Sequence, residues 1–351
     1  MADAEFEEQL GIHEFPTMRC QATDSTPVGS LHGASQTLLC LLMAQNPLVV
    51  TFSAQEVIQR AGSAGSSGGY DRCVPSPSLR ADETDLRETA AYYDAFAEVA
   101  EQRYTSNHVL VRVREAFRRA VEPYPAAAVL DLGCGPGTDL AWFAARYPGR
   151  RYVGIDVSPR MVELARAKLA DRAVQVERGC AADLPRVFPG ERFDLIYSFF
   201  GPLNTEPDLD RAVGALAQVV APDGVLVLTF VNRTYVADSA VHLLRGRPRY
   251  AVARFANRWR GYVPQTPLQT WLYFPRQIEA RFAPAFQVER REGFSILYPA
   301  WYRAHRFQPD GALVRALWIA DRALNRTPLW STGEQLLYVL RSSAARSPSK
   351  S

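Results

Sequence analysis

Cysteine is scarce. Cys20, Cys40, Cys73, Cys134 and Cys180 are scattered over 351 residues and odd in number. No CxxC pair or Cys/His cluster suggests zinc, so no metal is expected. Reduced thiols in a cytoplasm are the simplest reading of such spacing. Long apolar runs are also missing. Leu38-Leu39-Cys40-Leu41-Leu42-Met43 is broken by Gln45-Asn46-Pro47, well short of the ~20 apolar residues of a membrane span. The first ten residues are acidic, which is not the charge of a secretory leader. No strong charge of one sign is present either. A formal net charge of +3 is too small to argue for nucleic acid as a partner. No internal repeat is apparent.

Apolar residues make up 47% and charged residues 22%, enough material for a large globular core. That core does not begin at once. Residues 1–81 read as a disordered or poorly structured extension, with one short helical pattern near 35–44 and a Gly/Ser/Pro-rich linker at 61–78. From Asp82 the pattern turns helical, with Leu86, Ala90, Tyr93, Ala97 and Ala100 at helical spacing. A second helix is predicted over 108–121, stopped by Pro123 and Pro125.

Strands and helices then alternate. Strands are predicted near 128–132, 151–156, 174–178, 193–198 and 225–231, with helices near 138–147, 159–170 and 208–220. Such alternation implies a parallel sheet with right-handed crossovers. Pro222-Asp223-Gly224 reads as a tight turn before the fifth strand. Further on, 276–283 looks helical, 286–292 strand-like, and 335–341 is a final apolar strand.

The chemistry is concentrated in 126–138, AAAVLDLGCGPGT. An apolar strand leads into Asp131 and then into Gly133, Gly135 and Gly137. A second apolar run ends in Asp156, about 20 positions further on, where a ribose-binding acid is expected. Glycines let a ligand lie against bare backbone, and the acid accepts hydrogen bonds from ribose hydroxyls. A pyrophosphate is disfavoured. Thr138 stands where a dinucleotide site has its third glycine, and Asp131 beside the loop suits a cationic ligand better. Asp156 could equally cap the helix that follows it.

Asp131-Leu132-Gly133-Cys134-Gly135-Pro136-Gly137-Thr138 resembles the first motif of class I S-adenosylmethionine-dependent methyltransferases. Four further stretches resemble later motifs of that family in the right order: Gly154-Ile155-Asp156-Val157-Ser158, Gly179-Cys180-Ala181-Ala182-Asp183-Leu184-Pro185, Phe193-Asp194-Leu195-Ile196-Tyr197-Ser198, and 209–230. The turn before the fifth strand departs slightly, reading Pro-Asp-Gly where Pro-Gly-Gly is common. The resemblance implies an α/β fold: a Rossmann-like seven-stranded sheet with an antiparallel last strand, helices on both faces and a helical insertion after strand five. It implies a domain at 82–345, with N-terminal cap helices at 82–125, a cofactor-binding core at 126–231, a substrate lid at 232–275 and the rest of the sheet at 276–341.

By the same resemblance the cofactor is S-adenosyl-L-methionine. It implies contacts from Asp131, Gly133, Cys134, Gly135, Gly137, Asp156, Val157, Met161, Ala182, Asp183, Leu184, Ser198 and Tyr93, with Asp183 meeting the adenine amino group. The acceptor is expected to be a small molecule such as a secondary metabolite, methylated on O or N. No Asn-Pro-Pro-Tyr-like tetrapeptide follows strand four, where Tyr197-Ser198-Phe199-Phe200 stands. An RNA or protein methyltransferase and a non-catalytic cofactor-binding module are the alternatives.

Open α/β sheets bind ligands beyond strand C-terminal ends, so the loop carrying Phe199 and Asn204 faces the chemistry. Tyr104, with Tyr92, Tyr93 and Phe96, comes from the N-terminal helices. The insertion adds Arg233, Arg245, Arg247, Arg249, Arg254, Arg258, Arg260, Trp259, Tyr262, Trp271 and Tyr273. Phe199, Asn204, Tyr104 and Trp271 are therefore the substrate candidates. A hydroxyl acceptor needs a base, and His242 is preferred to His305 for that role.

Overall fold

A computed structural model describes residues 77–255, 258–259 and 268–343, all within the compact unit Arg72–Ser351. The extension ahead of it, and Arg260 and Tyr262 of the insertion, lie outside the described residues.

Two helices come first, α1 (Pro77–Ser106) and α2 (His108–Val121). The helix predicted from Asp82 thus begins five residues earlier. Asn107 ends one helix and caps the next, its side chain accepting from the Val109 and Leu110 amides. The alternating core follows: β1 (Ala128–Leu132), α3 (Thr138–Arg146), β2 (Arg151–Asp156), α4 (Pro159–Lys168), β3 (Val174–Arg178), β4 (Phe193–Ser198), α5 (Leu209–Val219) and β5 (Val220–Val231). The insertion holds α6 (Val236–Leu244) and a short ribbon of β6 (Arg258–Trp259) with β7 (Thr270–Trp271). The chain closes with α7 (Pro275–Phe282), β8 (Phe286–Phe294), α8 (Ala312–Leu324) and β9 (Gln335–Ser342).

Seven strands form one sheet in the order β3-β2-β1-β4-β5-β9-β8. The first five are parallel, and β9 runs antiparallel between β5 and β8. The expected Rossmann-like sheet with its antiparallel last strand is thus present. Alternation along β1 shows why both faces must be covered. Leu130 and Leu132 pack with Leu209, Leu216, Ile278 and Phe282 on one side. Val129 packs with Val113, Phe117, Leu140 and Val162 on the other. Side chains alternate sides with period two, so a strand with buried apolar residues on both faces needs helices on both. Helices α5 and α7 cover the first face, and α2, α3, α4 and α8 the second.

The fifth strand differs from expectation. Val220 already pairs with Phe193, and pairing resumes at Leu195 with Val225. Asp223, at φ 61°, turns the chain within the strand rather than before it. Helix α8 has no counterpart in the sequence reading, although Val314, Leu317 and Trp318 pack on the core at helical spacing.

Candidate functional site

The site lies where topology demands it, at the C-terminal ends of β1, β2 and β4. The sheet order reverses between β1 and β4, which opens a crevice there. A cleft at this point encloses about 900 Å³, its open mouth included. The loop after β1 forms its floor. Gly133 and Cys134 both donate to the Ile155 carbonyl, at 2.8 and 3.0 Å, and so bind the loop to β2. Gly133 has φ +73°, and a Cβ there would stand 2.4 Å from Cγ of Pro202. Gly135, at φ +54°, would meet nothing within 4 Å, so its bare backbone faces the cleft.

Asp156 closes β2. Its Oδ2 accepts from the Gly135 amide at 2.8 Å and its Oδ1 from the Ser158 amide at 2.9 Å. Ser158 rather than Asp156 caps α4, accepting from the Met161 amide at 3.0 Å. Burial pushes the Asp156 carboxyl up to about 6, against the pull of these amide donors. Asp131 is buried on the same floor, and burial with the nearby Asp139 carboxylate raises it well above the usual carboxylate range. Burial, with Asp156 and Asp131 beside it, likewise raises the Cys134 thiol, so Cys134 is a packing residue and not a nucleophile.

The walls are aromatic and come from distant segments. Tyr93 and Tyr104 of α1, and Phe199 and Phe200 after β4, line the cleft with Val157 and Met161. Tyr104 stacks on Phe200 at 5.9 Å between ring centroids. Phe200 holds φ 64°, a left-handed conformation that a bulky side chain adopts at a cost of ~1 kcal/mol or more. Arg114 of α2 lies over both rings, at 4.8 and 4.9 Å, and ion-pairs with Asp139 at 2.7 Å. Sequence reading missed Arg114, Cys180, Ala181, Thr205 and Glu206, all of which line the cleft.

Several expected residues serve the frame and do not line the cleft. Gly137 is the N-cap of α3. Ser198 is fully buried and donates to the Leu132 carbonyl at 2.8 Å, joining β4 to β1. Leu184 is core, packed with Ile155 and Phe188. Ala182 and Asp183 sit in the 3-10 turn Ala181–Asp183. The Asp183 carboxylate accepts from Arg186 at 3.0 Å and the Cys180 amide at 3.2 Å. Burial alone would raise it, but these donors hold it below the ordinary value.

Two substrate candidates and the base candidate also fall elsewhere. Asn204 is fully buried; its Oδ1 accepts from the Val231 amide at 2.8 Å and its Nδ2 donates to the Trp271 carbonyl at 2.7 Å. It ties the loop after β4 to β5 and to the insertion. Trp271 packs against the core under α5 and α7. His242 stacks on Tyr250 and lies 3.7 Å from Asp238, whose other oxygen accepts from Tyr302. Burial lowers the His242 pKa, with Asp238 opposing. Neither it nor His305 lines the cleft. Among the described residues, no group of three or more His, Cys, Asp or Glu is placed to hold a metal ion. No described helix is long and apolar enough to cross a membrane.

Sheet order, glycine loop and strand-end acid together define a Rossmann-like nucleoside site. Residues 129–224 match a family model described as a methyltransferase domain. The chain is 39% identical to a trans-aconitate 2-methyltransferase from Methylobacterium radiotolerans over 33% of its own length and 42% of that protein. It is 27% identical to a ubiquinone biosynthesis O-methyltransferase from Xanthomonas campestris over 56% of its length and 83% of that protein. A solved S-adenosylmethionine-dependent methyltransferase from Mesorhizobium loti aligns over 65% of the chain and 96% of that structure, at 24% identity and a TM-score of 0.45. The trans-aconitate relatives are matched over 42, 38 and 54% of their own lengths. The chain is thus similar to methyltransferases over the segment that builds the cleft, residues 129–224.

Proposed function

We propose that this protein transfers a methyl group from S-adenosyl-L-methionine to an O or N atom of a small-molecule acceptor by in-line displacement. The observation that carries the reading is the cradle itself. An open glycine backbone at Gly135, a strand-end carboxylate at Asp156 and an aromatic wall converge on one cleft. These groups fit the cofactor's parts. Asp156 would hold the ribose hydroxyls, Gly133 and Gly135 would lie along the amino-acid arm, and the Asp131 carboxyl would face its positive charges. When bound, the cofactor supplies a methyl group on a positively charged sulfur.

The chain's own contribution is position and dryness. Tyr93, Tyr104, Phe199 and Phe200 exclude water and confine an acceptor against the loop. Holding a nucleophile in line can lower the barrier by ~7–11 kcal/mol in favourable cases. A neutral amine needs no base, whereas a hydroxyl does. Arg114 over Tyr104 and Phe200 favours an acceptor that is anionic or aromatic. Small molecules name the relatives as well, among them a nocamycin O-methyltransferase from Saccharothrix syringae.

Calorimetry with S-adenosylmethionine and its demethylated product tests the first half. Absence of binding by both would overturn the reading. Incubation with methyl-labelled cofactor and a small-molecule extract, followed by mass spectrometry, tests the second. Label found on RNA or protein alone would overturn the acceptor class.

A further inference from the structure

The base end of the cleft carries a carboxylate in an unexpected place. From Asp156 at the end of β2, the cleft continues toward the end of β3, where Gly179, Cys180 and Ala181 line it. A nucleoside whose ribose sits on Asp156 and whose amino-acid arm lies along the β1 loop must therefore place its base beside Cys180 and Ala181. Asp183 follows these residues by two or three positions, yet it does not line the cleft; its oxygens turn to Arg186 and the Cys180 amide. Glu206 does line it. This side chain reaches across from the loop after β4, is 6% exposed, and its Oε1 accepts from the Ala181 amide at 2.6 Å. The Cys180 thiol lies within bonding reach of Glu206 and of Asp183.

We propose that Glu206, not Asp183, is the carboxylate that reads the exocyclic amino group of the adenine, making it a specificity-determining residue of the site. The inference rests on the S-adenosylmethionine reading above. A buried carboxylate is chemically suited to the task. Ionised, as it is above its titration near 7, it accepts hydrogen bonds only, so at such a pH an amino group at position 6 of the base satisfies it, while a carbonyl there opposes acceptor to acceptor. Leaving such a group unsatisfied in a desolvated site is costly, so discrimination should be strong. Two groups hold the side chain in place: the Ala181 amide and the Cys180 thiol. Burial drives the Glu206 carboxyl up to about 7, a cost that amino donors from a bound base would relieve.

The test compares two ligands by calorimetry: S-adenosylhomocysteine and its inosine counterpart, which carries a 6-oxo group. The wild-type chain should prefer the adenosyl form by about tenfold or more. Glu206→Ala should bring the ratio to within about threefold, whereas Asp183→Asn should leave it intact. Glu206→Gln keeps an oxygen for the Ala181 amide and adds an N–H that a 6-oxo base can use. It should therefore fold normally and still lose the preference. A ratio that survives in both Glu206 variants, or collapses in Asp183→Asn, overturns the assignment. Equal affinity of the wild-type chain for both ligands overturns it too. If the wild-type chain binds neither ligand, the methyl-donor reading itself fails.

Discussion

Gly135 and Asp156, the floor of the loop and the end of the neighbouring strand, are joined by a 2.8 Å hydrogen bond from amide to carboxylate. The bond holds the glycine loop open over the cleft. It also orients the acid that would meet the ribose, since the Ser158 amide fixes the other oxygen. One side chain thus shapes the cradle and presents its ligand-binding group.

Asp156→Asn should weaken cofactor binding. The amide keeps one acceptor but turns an N–H₂ toward either the Gly135 or the Ser158 amide. A charged hydrogen bond is worth about 1.5–3 kcal/mol, so affinity should fall by about 10–150-fold in calorimetry. Unchanged affinity would remove Asp156 from the ribose site.

Cofactor affinity should rise with pH through about 6, because ribose hydroxyls donate to the ionised acid. Stability without cofactor should run the other way. The folded chain holds this proton more tightly than the unfolded chain, whose carboxyl keeps the ordinary value of 3.8. Between those two values the native state binds more protons, so stability falls as pH rises. Glu206, raised to about 7, and Asp131, also raised, act in the same direction. Urea denaturation across pH 4–7 should show a shallower decline in Asp156→Asn than in the wild type. Equal slopes would show that the Asp156 shift is absent.

Gly133→Ala should be damaging and Gly135→Ala mild. The first adds a positive-φ penalty to a 2.4 Å overlap with the Pro202 ring. Together these cost about 2–4 kcal/mol. The second meets open space, leaving only the backbone term of about 1–2 kcal/mol. Thermal unfolding of the two variants should rank them in that order; the reverse ranking would mean the loop is misdescribed.

Asp139→Ala should destabilise the fold by about 3–5 kcal/mol. The carboxylate pairs with Arg114 and with Arg118, each at 2.7 Å, and all three side chains are largely buried. Removing it strands two cations beneath the cleft. Denaturant midpoints would measure the loss. A change below about 1 kcal/mol would mean that solvent already screens the cluster.

His242→Ala should leave methyl transfer within about threefold of wild type, because no described contact brings the ring to the cleft. Turnover with the natural acceptor is the measurement. A drop of a hundredfold or more would return His242 to the chemistry.

The first four strands were legible to the residue. β1, β2 and β4 are short, largely apolar runs buried on both faces, and β3, where only Val176 is buried, shows instead the alternation of an edge strand. Asp131, Gly133, Gly135 and Asp156 were legible for a related reason: chemistry and backbone geometry both act at fixed local offsets. Asn204 was read as a substrate candidate, and the structure buries it as a tie between segments. Its partners, Val231 and Trp271, are far away in sequence, so its structural role was not visible. Asp183 was read as the adenine contact; the local donors its oxygens accept from, Arg186 and the Cys180 amide, became visible only in the folded turn.

Composition and local spacing were therefore enough to establish a parallel sheet and a glycine cradle, and the motifs' resemblance to a known family implied the cofactor. They act over a few residues, where backbone sterics and side-chain periodicity leave few options. Packing chose the rest. Arg114 from a helix before β1 and Glu206 from the loop after β4 reach the cleft only because the sheet order sets β1 beside β4. Contacts between segments so distant in the chain depend on how whole elements dock, and no short-range pattern encodes that.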